Sequence, residues 1–163
     1  PAEVVKYYIV PFSETELEKA VADGLFLVAM PGTDLLKFCK AAGSRFYDQS
    51  WYNDEKFTKI KSRRGYHLLG ELEDSTSKNF GEPQAMIPTG YEVPLLVEMT
   101  YLAAAKLPGE AFPDVVRCLD VDSDGDRCNV RVGEGQVYVS SRWDSNRLSN
   151  LGVAFGQFRP LAS

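Results

Sequence analysis

Three aspartates alternate with other residues in the motif DVDSDG at residues 120–125. Carboxylates at the first, third and fifth positions, followed by glycine at the sixth, are typical of the beginning of a calcium-binding loop. The twelfth position is Arg131, where such a loop needs a bidentate glutamate, and no predicted helix flanks the motif. The pattern therefore favours an acidic hairpin turn. Weak calcium binding by Asp120, Asp122 and Asp124 is the alternative.

The chain has three cysteines and one histidine, residue types that often act as nucleophiles, bases or metal ligands. Cys39, Cys118 and Cys128 lack the spacing of a zinc site or of a disulfide framework. Cys118 and Cys128 flank a predicted turn and could form a disulfide, although buried free thiols are the favoured interpretation. His67 has no second histidine or carboxylate cluster beside it in the sequence, and we interpret it as structural. No phosphate-binding loop or GxSxG motif occurs, so we predict a non-catalytic protein without a cofactor or bound metal.

Residues 140–150 read SSRWDSNRLSN, which combines serine and asparagine with a tryptophan, two arginines and an aspartate. Serine and asparagine form adaptable hydrogen bonds, and tryptophan and arginine contribute much of the binding energy at interfaces. From residue 112 onward all six cationic side chains are arginine, whose planar group binds bidentately and stacks on rings. The segment is typical of a binding loop. An ordinary long surface loop is the alternative that the residues leave open.

The elements that would support this segment begin with a meander of antiparallel strands. Strands are predicted at residues 115–121, 127–132 and 136–140, with turns at 123–126 and 133–135, and a closing strand at 152–158. Alternation places apolar residues on an inner face, namely Cys128, Val130, Val132, Val137 and Val139. The outer face then carries Arg127, Asn129, Arg131, Tyr138 and Ser140, which could extend the binding loop.

The first 111 residues carry the predicted helices and four further strands. We expect these strands at residues 6–12, 25–30, 57–60 and 66–69. A capping box at residues 13–16 begins one helix, which Gly24 ends, and Thr33 or Asp34 begins a second, which ends at residues 41–43. Residues 73–84 read as a loop. A strongly apolar helix is predicted from Pro94 to residues 108–109 and is expected to lie against the sheet.

Length and composition restrict the classes of protein that fit. A chain of 163 residues, 44% hydrophobic and 25% charged, is typical of one globular domain, residues 1–163. No apolar run is long enough to span a membrane, and a net charge of −5 argues against nucleic-acid or anionic-membrane partners. The basic cluster Lys59, Lys61, Arg63 and Arg64 is accordingly interpreted as a solvated surface. The first residues lack the pattern of a signal peptide, and the sequence predicts neither location nor oligomeric state.

Several motifs together resemble a known family. Residues 87–93 (IPTGYEV), followed by YLAA at 101–104, resemble the helix start of C-type lectin folds of the formylglycine-generating type. Residues 142–143 and 150–155 resemble the closing element of that fold. The stretch from 116 to 153 is similar to the C-terminal half of variable proteins from diversity-generating retroelements, especially those of archaea, their viruses and small-genome bacteria. The resemblance covers about residues 85–160 and depends on the order and spacing of the motifs.

Some features depart from these patterns. The sequence FGQFR at residues 155–159 matches the closing G-F-R of the fold only with a displacement. The calcium ligands of sugar-binding lectins are not recognisable, so sugar binding is not implied. Neither Cys118 nor Cys128 has the sequence context of the catalytic cysteines in formylglycine-generating enzymes.

The resemblance implies an α+β C-type lectin fold, with two helices packed on an antiparallel sheet, long loops and a C-terminal β meander. In that family an error-prone reverse transcriptase substitutes bases at template adenines, which varies surface residues that bind a macromolecular ligand, here expected to be a protein. The scaffold would be about residues 1–111 and the diversified region about 112–163. The fixed frame would be Val130, Val132, Val137, Val139, Leu151, Gly152 and Val153. The ligand-binding residues would be Arg127, Asn129, Arg131, Tyr138, Ser140, Ser141, Arg142, Trp143, Ser145, Asn146, Arg147 and Ser149, with Trp143 assignable to either set.

The alternatives to this interpretation belong to other classes. One is a formylglycine-generating-like or other enzyme on the same fold, in which mutation of Cys118 or Cys128 would remove turnover. The other is a structural calcium-binding module that uses the aspartates of residues 120–124.

Overall fold

The computed structural model describes residues 10–106 and 115–160, which contain four α-helices and six β-strands. The helices are α1 (Glu14–Ala22), α2 (Leu35–Ala42), α3 (Gly81–Met86) and α4 (Leu96–Lys106). The strands are β1 (Phe26–Met30), β2 (Gly65–Glu71), β3 (Val115–Val121), β4 (Arg127–Gly133), β5 (Gln136–Arg142) and β6 (Leu151–Pro160). Two short 3-10 helices occupy Gly43–Arg45 and Lys56–Lys59.

The six strands form one open mixed sheet in the order β1-β2-β6-β3-β4-β5. All neighbours are antiparallel except β3 and β6, which are parallel. The first half of β6 pairs with β3 and its second half pairs with β2, so this strand joins the two parts of the sheet. The α+β class is therefore confirmed. The expectation of two helices on an antiparallel sheet is too simple, since the described residues contain four helices and one parallel strand pair.

Both faces of the sheet are covered. Helix α4 packs across one face, where Leu96, Met99 and Leu102 meet the inner residues of the meander. On the opposite face, Ala20 of α1 packs in a second cluster that includes Leu68 of β2. Because β2 is covered on both sides, six of its seven residues are buried.

Local signals position the helix ends as expected. Ser13 and Glu16 form the capping box of α1, and the Asp34 carboxylate accepts a hydrogen bond from the Lys37 amide at the start of α2. Gly24 follows α1 with a φ of 75°, a conformation that favours glycine. The side chains of Ser13, Glu16 and Asp34 bond to backbone groups within three residues, and Gly24 forms the turn after α1. Because these interactions are local, the sequence predicts where the helices begin and end.

The strands of the meander and those at residues 25–30 and 66–69 are also confirmed. The strand expected at 57–60 is wrong, because Lys56–Lys59 forms a 3-10 helix that buries Phe57. The loop expected at 73–84 ends early, since α3 begins at Gly81. Of the strand expected at 6–12, residues 6–9 lie outside the described residues and 10–12 are not in a strand. The end expected for the apolar helix at residues 108–109 also lies outside them. Among the described residues, no helix combines the length and hydropathy needed to cross a membrane.

Candidate functional site

The β4–β5 hairpin is the framework of the candidate site. Its register pairs Val130 with Val139 and Val132 with Val137. Val130, Val137 and Val139 are fully buried against α4, whereas Val132 is half-buried. The inner face is therefore a close-packed surface that fixes the backbone of both strands.

The opposite face of the hairpin is not uniformly open. Tyr138 is half-buried and Arg131 is exposed, but Asn129 is completely buried. The Ser140 hydroxyl donates a hydrogen bond to Asn129 Oδ1 at 2.7 Å. Alternation with the valines predicts Asn129 as a ligand contact, and its burial corrects that assignment. Segments from elsewhere in the chain cover this part of the face.

Arg117, on β3, shows how the face is covered. It pairs with Asn129 in the sheet and is fully buried. Its guanidinium donates to the carbonyl oxygens of Lys78 at 2.8 Å, Gly152 at 3.2 Å and Asn146 at 3.3 Å. Burial lowers the pKa of Arg117, and nearby Asp144 opposes that shift. One buried cation thus joins three backbone segments beneath the predicted binding loop.

Arg127 fixes the first part of that loop. Its guanidinium makes a bidentate ion pair with Asp144, at 3.0 and 3.1 Å, and lies 4.0 Å from the centre of the Phe80 ring. Phe80 also donates its amide N–H to the Asp144 carbonyl at 2.7 Å. Further along, Ser77 donates its amide N–H to the Leu148 carbonyl at 3.1 Å. The base of the loop therefore has defined backbone positions.

The side chains of the loop and of the neighbouring strand differ in exposure. Trp143 is 68% exposed, the largest exposed fraction of any aromatic residue among those described. The exposed members of the predicted set are Arg131, Arg142, Trp143, Ser145, Arg147 and Ser149. The half-buried members are Arg127, Tyr138, Ser140, Ser141 and Asn146. We call the exposed members together with Tyr138 the recognition surface.

Ser141 and Arg142 differ in the face that they occupy. Sheet pairing places Ser141 opposite Cys128, on the side of the buried valines, and Arg142 opposite Arg127, on the outer side. Arg147 extends from the loop to Glu82 and Asn79, both at 3.3 Å. Because that contact is solvent-exposed, it contributes little to stability.

Tyr47 packs beside the β4–β5 hairpin, a contact that the sequence did not indicate. Its ring stacks on Tyr138 with 4.7 Å between centroids, and Arg131 lies 4.0 Å from the Tyr138 ring centre. The Tyr47 amide donates to the Val137 carbonyl at 2.9 Å, beside the outer edge of β5. Since Tyr47 and Tyr138 are far apart in the sequence, no local pattern could have indicated this contact.

In the acidic hairpin, the carboxylates of Asp120 and Asp122 have different hydrogen-bond partners. Asp120 accepts a hydrogen bond from the Leu96 amide, 2.5 Å away, at the start of α4. Asp122 Oδ1 accepts from the amides of Asp124 and Asp126, both at 2.9 Å, which closes the turn. Within residues 10–106 and 115–160, no group of three or more His, Cys, Asp or Glu side chains has a metal-binding arrangement. The hairpin turn is confirmed, and its geometry gives the calcium alternative no support.

Two of the cysteines and the histidine are buried in the core. Cys118 and Cys128 are free and fully buried, and burial raises the pKa of both thiols. His67 is also fully buried, as expected for a structural histidine. Arg63 of the basic cluster pairs with the buried Glu98 at 2.8 Å, so part of that cluster is neutralised. The sequence did not indicate the role of Glu98, because its partner Arg63 lies 35 residues away in the chain.

No family model, curated protein or solved structure matches this chain.

Proposed function

We propose that this protein is a non-catalytic binding protein with a C-type lectin fold, whose recognition surface is diversified by a retroelement to bind varied protein ligands. The observation that carries the proposal is the separation between a buried frame and an exposed set of contact residues. Both sets lie in one short part of the chain. Residues that are close in sequence therefore differ sharply in how well the fold tolerates their substitution.

The frame is tightly packed. All seven residues expected to be fixed are buried except Val132, which is half-buried. Six of the twelve residues expected to vary are exposed, and they lie on the hairpin or on the loop that follows it. Substitution at exposed positions usually changes stability by no more than about 0.5 kcal/mol, whereas truncation in the core costs several times more.

The recognition surface also has the chemistry of a protein-binding site. Trp143 and Tyr138 offer large rings with few rotatable bonds, and Arg131 and Arg142 offer planar cations. The loop beneath them is fixed by Arg117 and by the Arg127–Asp144 pair. A backbone that is already ordered loses less entropy on binding, which supports recognition by side chains that differ from variant to variant.

The enzymatic alternative is less well supported by the same geometry. Thiol chemistry requires an accessible thiolate, and Cys118 and Cys128 are fully buried with raised pKa values. We therefore propose binding alone.

A pair of display libraries tests the proposal. One library randomises the exposed positions Arg131, Arg142, Trp143, Ser145, Arg147 and Ser149. A matched library randomises six frame positions, Val130, Val137, Val139, Leu151, Gly152 and Val153. We expect the first library to keep protease-resistant display in most clones and the second to lose it, because only the second removes core packing. Selection of the first library against purified lysozyme should then yield binders that lose affinity when the selected residues are changed to Ala.

Two results would contradict the binding proposal. One is loss of folding across the exposed-position library, which would show that these side chains are structural. The other is failure to enrich any lysozyme binder from a well-folded library.

Diversification by a retroelement can be tested in the DNA that surrounds the gene. A near-copy of the codons for roughly residues 117–159, differing at adenines, should lie close to the gene together with a reverse transcriptase gene. Absence of that copy would remove the retroelement from the proposal while leaving the binding surface to be judged by the libraries.

A further inference from the structure

A cavity of about 800 Å³ lies between residues 51–60, the start of α4 and the β3–β4 hairpin. None of the twelve predicted site residues lines it. Its wall includes four large apolar side chains that are each about two-fifths exposed: Trp51, Ile60, Leu119 and Val121. A cavity of this size is in the range that encloses organic ligands, and apolar walls with a few polar groups are typical of such sites.

Hydrogen bonds hold two walls of the cavity in place. The indole N–H of Trp51 donates to Gln49 Oε1 at 2.6 Å, and its ring lies 6.0 Å from that of Phe57. The Glu55 carboxylate accepts from the backbone N–H and the hydroxyl of Ser123, at 2.9 and 2.8 Å. The two bonds from Ser123 join residues 51–60 to the hairpin, and the bond to Gln49 fixes the Trp51 ring, so the cavity is formed before any ligand enters.

The cavity has a marked negative charge. Asp120, only 7% exposed, lies in its wall and accepts a hydrogen bond from the first amide of α4. Burial raises the pKa of Asp120 because water no longer solvates its charge. Among the described residues, the lining also includes Asp54, Glu55 and Asp122, and Lys56 is its only cation. The positive end of the α4 dipole compensates only part of this charge.

We propose that this cavity binds an organic cation, an ammonium or guanidinium group carried on an apolar body. The cation would lie beside Asp120 and the apolar body would cover Trp51 and Ile60. Burial of the apolar body against Trp51 and Ile60 removes its surface from water, and a desolvated carboxylate gains most from a partner of opposite charge. The cation could belong to a free amine or to a Lys or Arg side chain of another polypeptide. The inference does not depend on the recognition surface.

Fluorescence of Trp51 provides the test. The chain has two tryptophans, so the Trp143→Phe variant leaves Trp51 as the only reporter. That protein is titrated with 4-phenylbutylamine, with the neutral 4-phenylbutanol and with the anionic 4-phenylbutyrate. We expect a saturable change with the amine, binding at least tenfold weaker with the alcohol, and no saturation with the acid.

Two variants in the same background test the role of Asp120. Asp120→Asn retains an oxygen for the Leu96 amide but removes the charge, and should weaken amine binding at least tenfold. Asp124→Asn removes a charge from the same hairpin but not from the cavity lining, and should change affinity less than twofold. If Asp120→Asn does not fold, Ile60→Arg also tests whether amine binding requires the negative charge of the cavity. This variant places a cation in the cavity wall and should abolish binding.

Other outcomes would overturn the inference. Equal affinity for the amine and the alcohol would show simple apolar partition, and unchanged affinity in both Asp120→Asn and Ile60→Arg would place the amine elsewhere. Absence of any saturable change up to 10 mM amine, on the order of the weakest specific affinities, would also contradict it. A further titration with acetyl-Phe-Arg-amide separates the two sources. Tighter binding than the amine supports a polypeptide ligand, and weaker but saturable binding supports a free amine.

Discussion

At the scale of single residues, Arg117 is the side chain whose environment differs most from what its type suggests. Arginine is rarely fully buried without a carboxylate partner, yet Arg117 donates to carbonyl oxygens from three separate segments. Those carbonyl groups belong to Lys78, to Asn146, and to Leu151 and Gly152 of β6. Arg117 thus connects the predicted binding loop to the sheet and to residues 77–80.

The first prediction concerns this residue. Arg117→Met should reduce the free energy of unfolding by about 3 kcal/mol, because buried carbonyl groups lose their donors. Amide hydrogen exchange at Ser77 and Phe80, whose N–H groups bond to the loop, should accelerate. Denaturant unfolding and exchange measured by NMR would provide these values.

The matched control is Arg131→Met, which removes an exposed arginine from the neighbouring strand. It should change stability by no more than about 0.5 kcal/mol. Equal effects of the two substitutions would show that Arg117 does not organise the loop.

At the scale of elements, β6 determines the topology of the sheet. This strand lies between β2 and β3, and its Gly156 also exchanges backbone hydrogen bonds with Glu92, both at 2.9 Å. A Cβ atom on Gly156 would overlap the carbonyl oxygen of Leu68 and lie 2.9 Å from Leu69 Cδ2. Glycine at this position therefore permits the close approach of β2.

The second prediction follows from that contact. Gly156→Ala should destabilise the protein by about 3 kcal/mol, since backbone atoms of two central strands would have to separate. Gly81→Ala is the control, because the space around Gly81 is open and α3 begins there. It should be neutral or slightly stabilising in thermal unfolding. A tolerated Gly156→Ala would contradict the proposed packing of β2 against β6.

Most elements could be predicted because their signals are local. The caps of α1 and α2 involve residues three apart, and the β4–β5 hairpin alternates apolar and polar residues around a short turn. The segment at residues 57–60 shows the limit of this reasoning. Its aromatic and β-branched residues favour a strand, but burial of Phe57 in the core beside α2 instead stabilises a 3-10 helix.

At the scale of the whole molecule, one buried polar cluster connects the central sheet to α4. His67 of β2 lies with its ring centre 4.7 Å from that of Phe158 on β6, and its Nε2 donates to the Arg63 carbonyl at 2.8 Å. Glu98 of α4 accepts three hydrogen bonds from Arg63. Burial opposes ionisation of Glu98, but the bonds from Arg63 hold the pKa of that carboxyl below its usual value.

The third prediction is a dependence of stability on pH. Burial lowers the pKa of His67, so the unfolded chain binds this proton more tightly than the folded protein does. The contribution of His67 is therefore complete above the unfolded pKa of about 6.5, and stability is lost as the pH falls below it. The free energy of unfolding should decrease between pH 7.5 and 5, and His67→Gln should show a shallower decrease.

Denaturant unfolding at a series of pH values measures this slope. Glu98, with its lowered pKa, stays ionised over that interval, and Asp120, with its raised pKa, contributes with the opposite sign in both proteins. An equal slope in wild type and His67→Gln would show that another group is responsible.

The sequence by itself determined the α+β class, the capped helices, the meander and the composition of the loop at residues 140–150. These features depend on residues close together in the chain, whose periodicity and turn chemistry are readable without knowledge of the fold. Only the tertiary structure decided that β6 inserts between β2 and β3, that Arg117 and Asn129 are buried, and that Tyr47 stacks on Tyr138. Each of these depends on segments distant in sequence that cover one another, and local patterns contain no information about which segments meet.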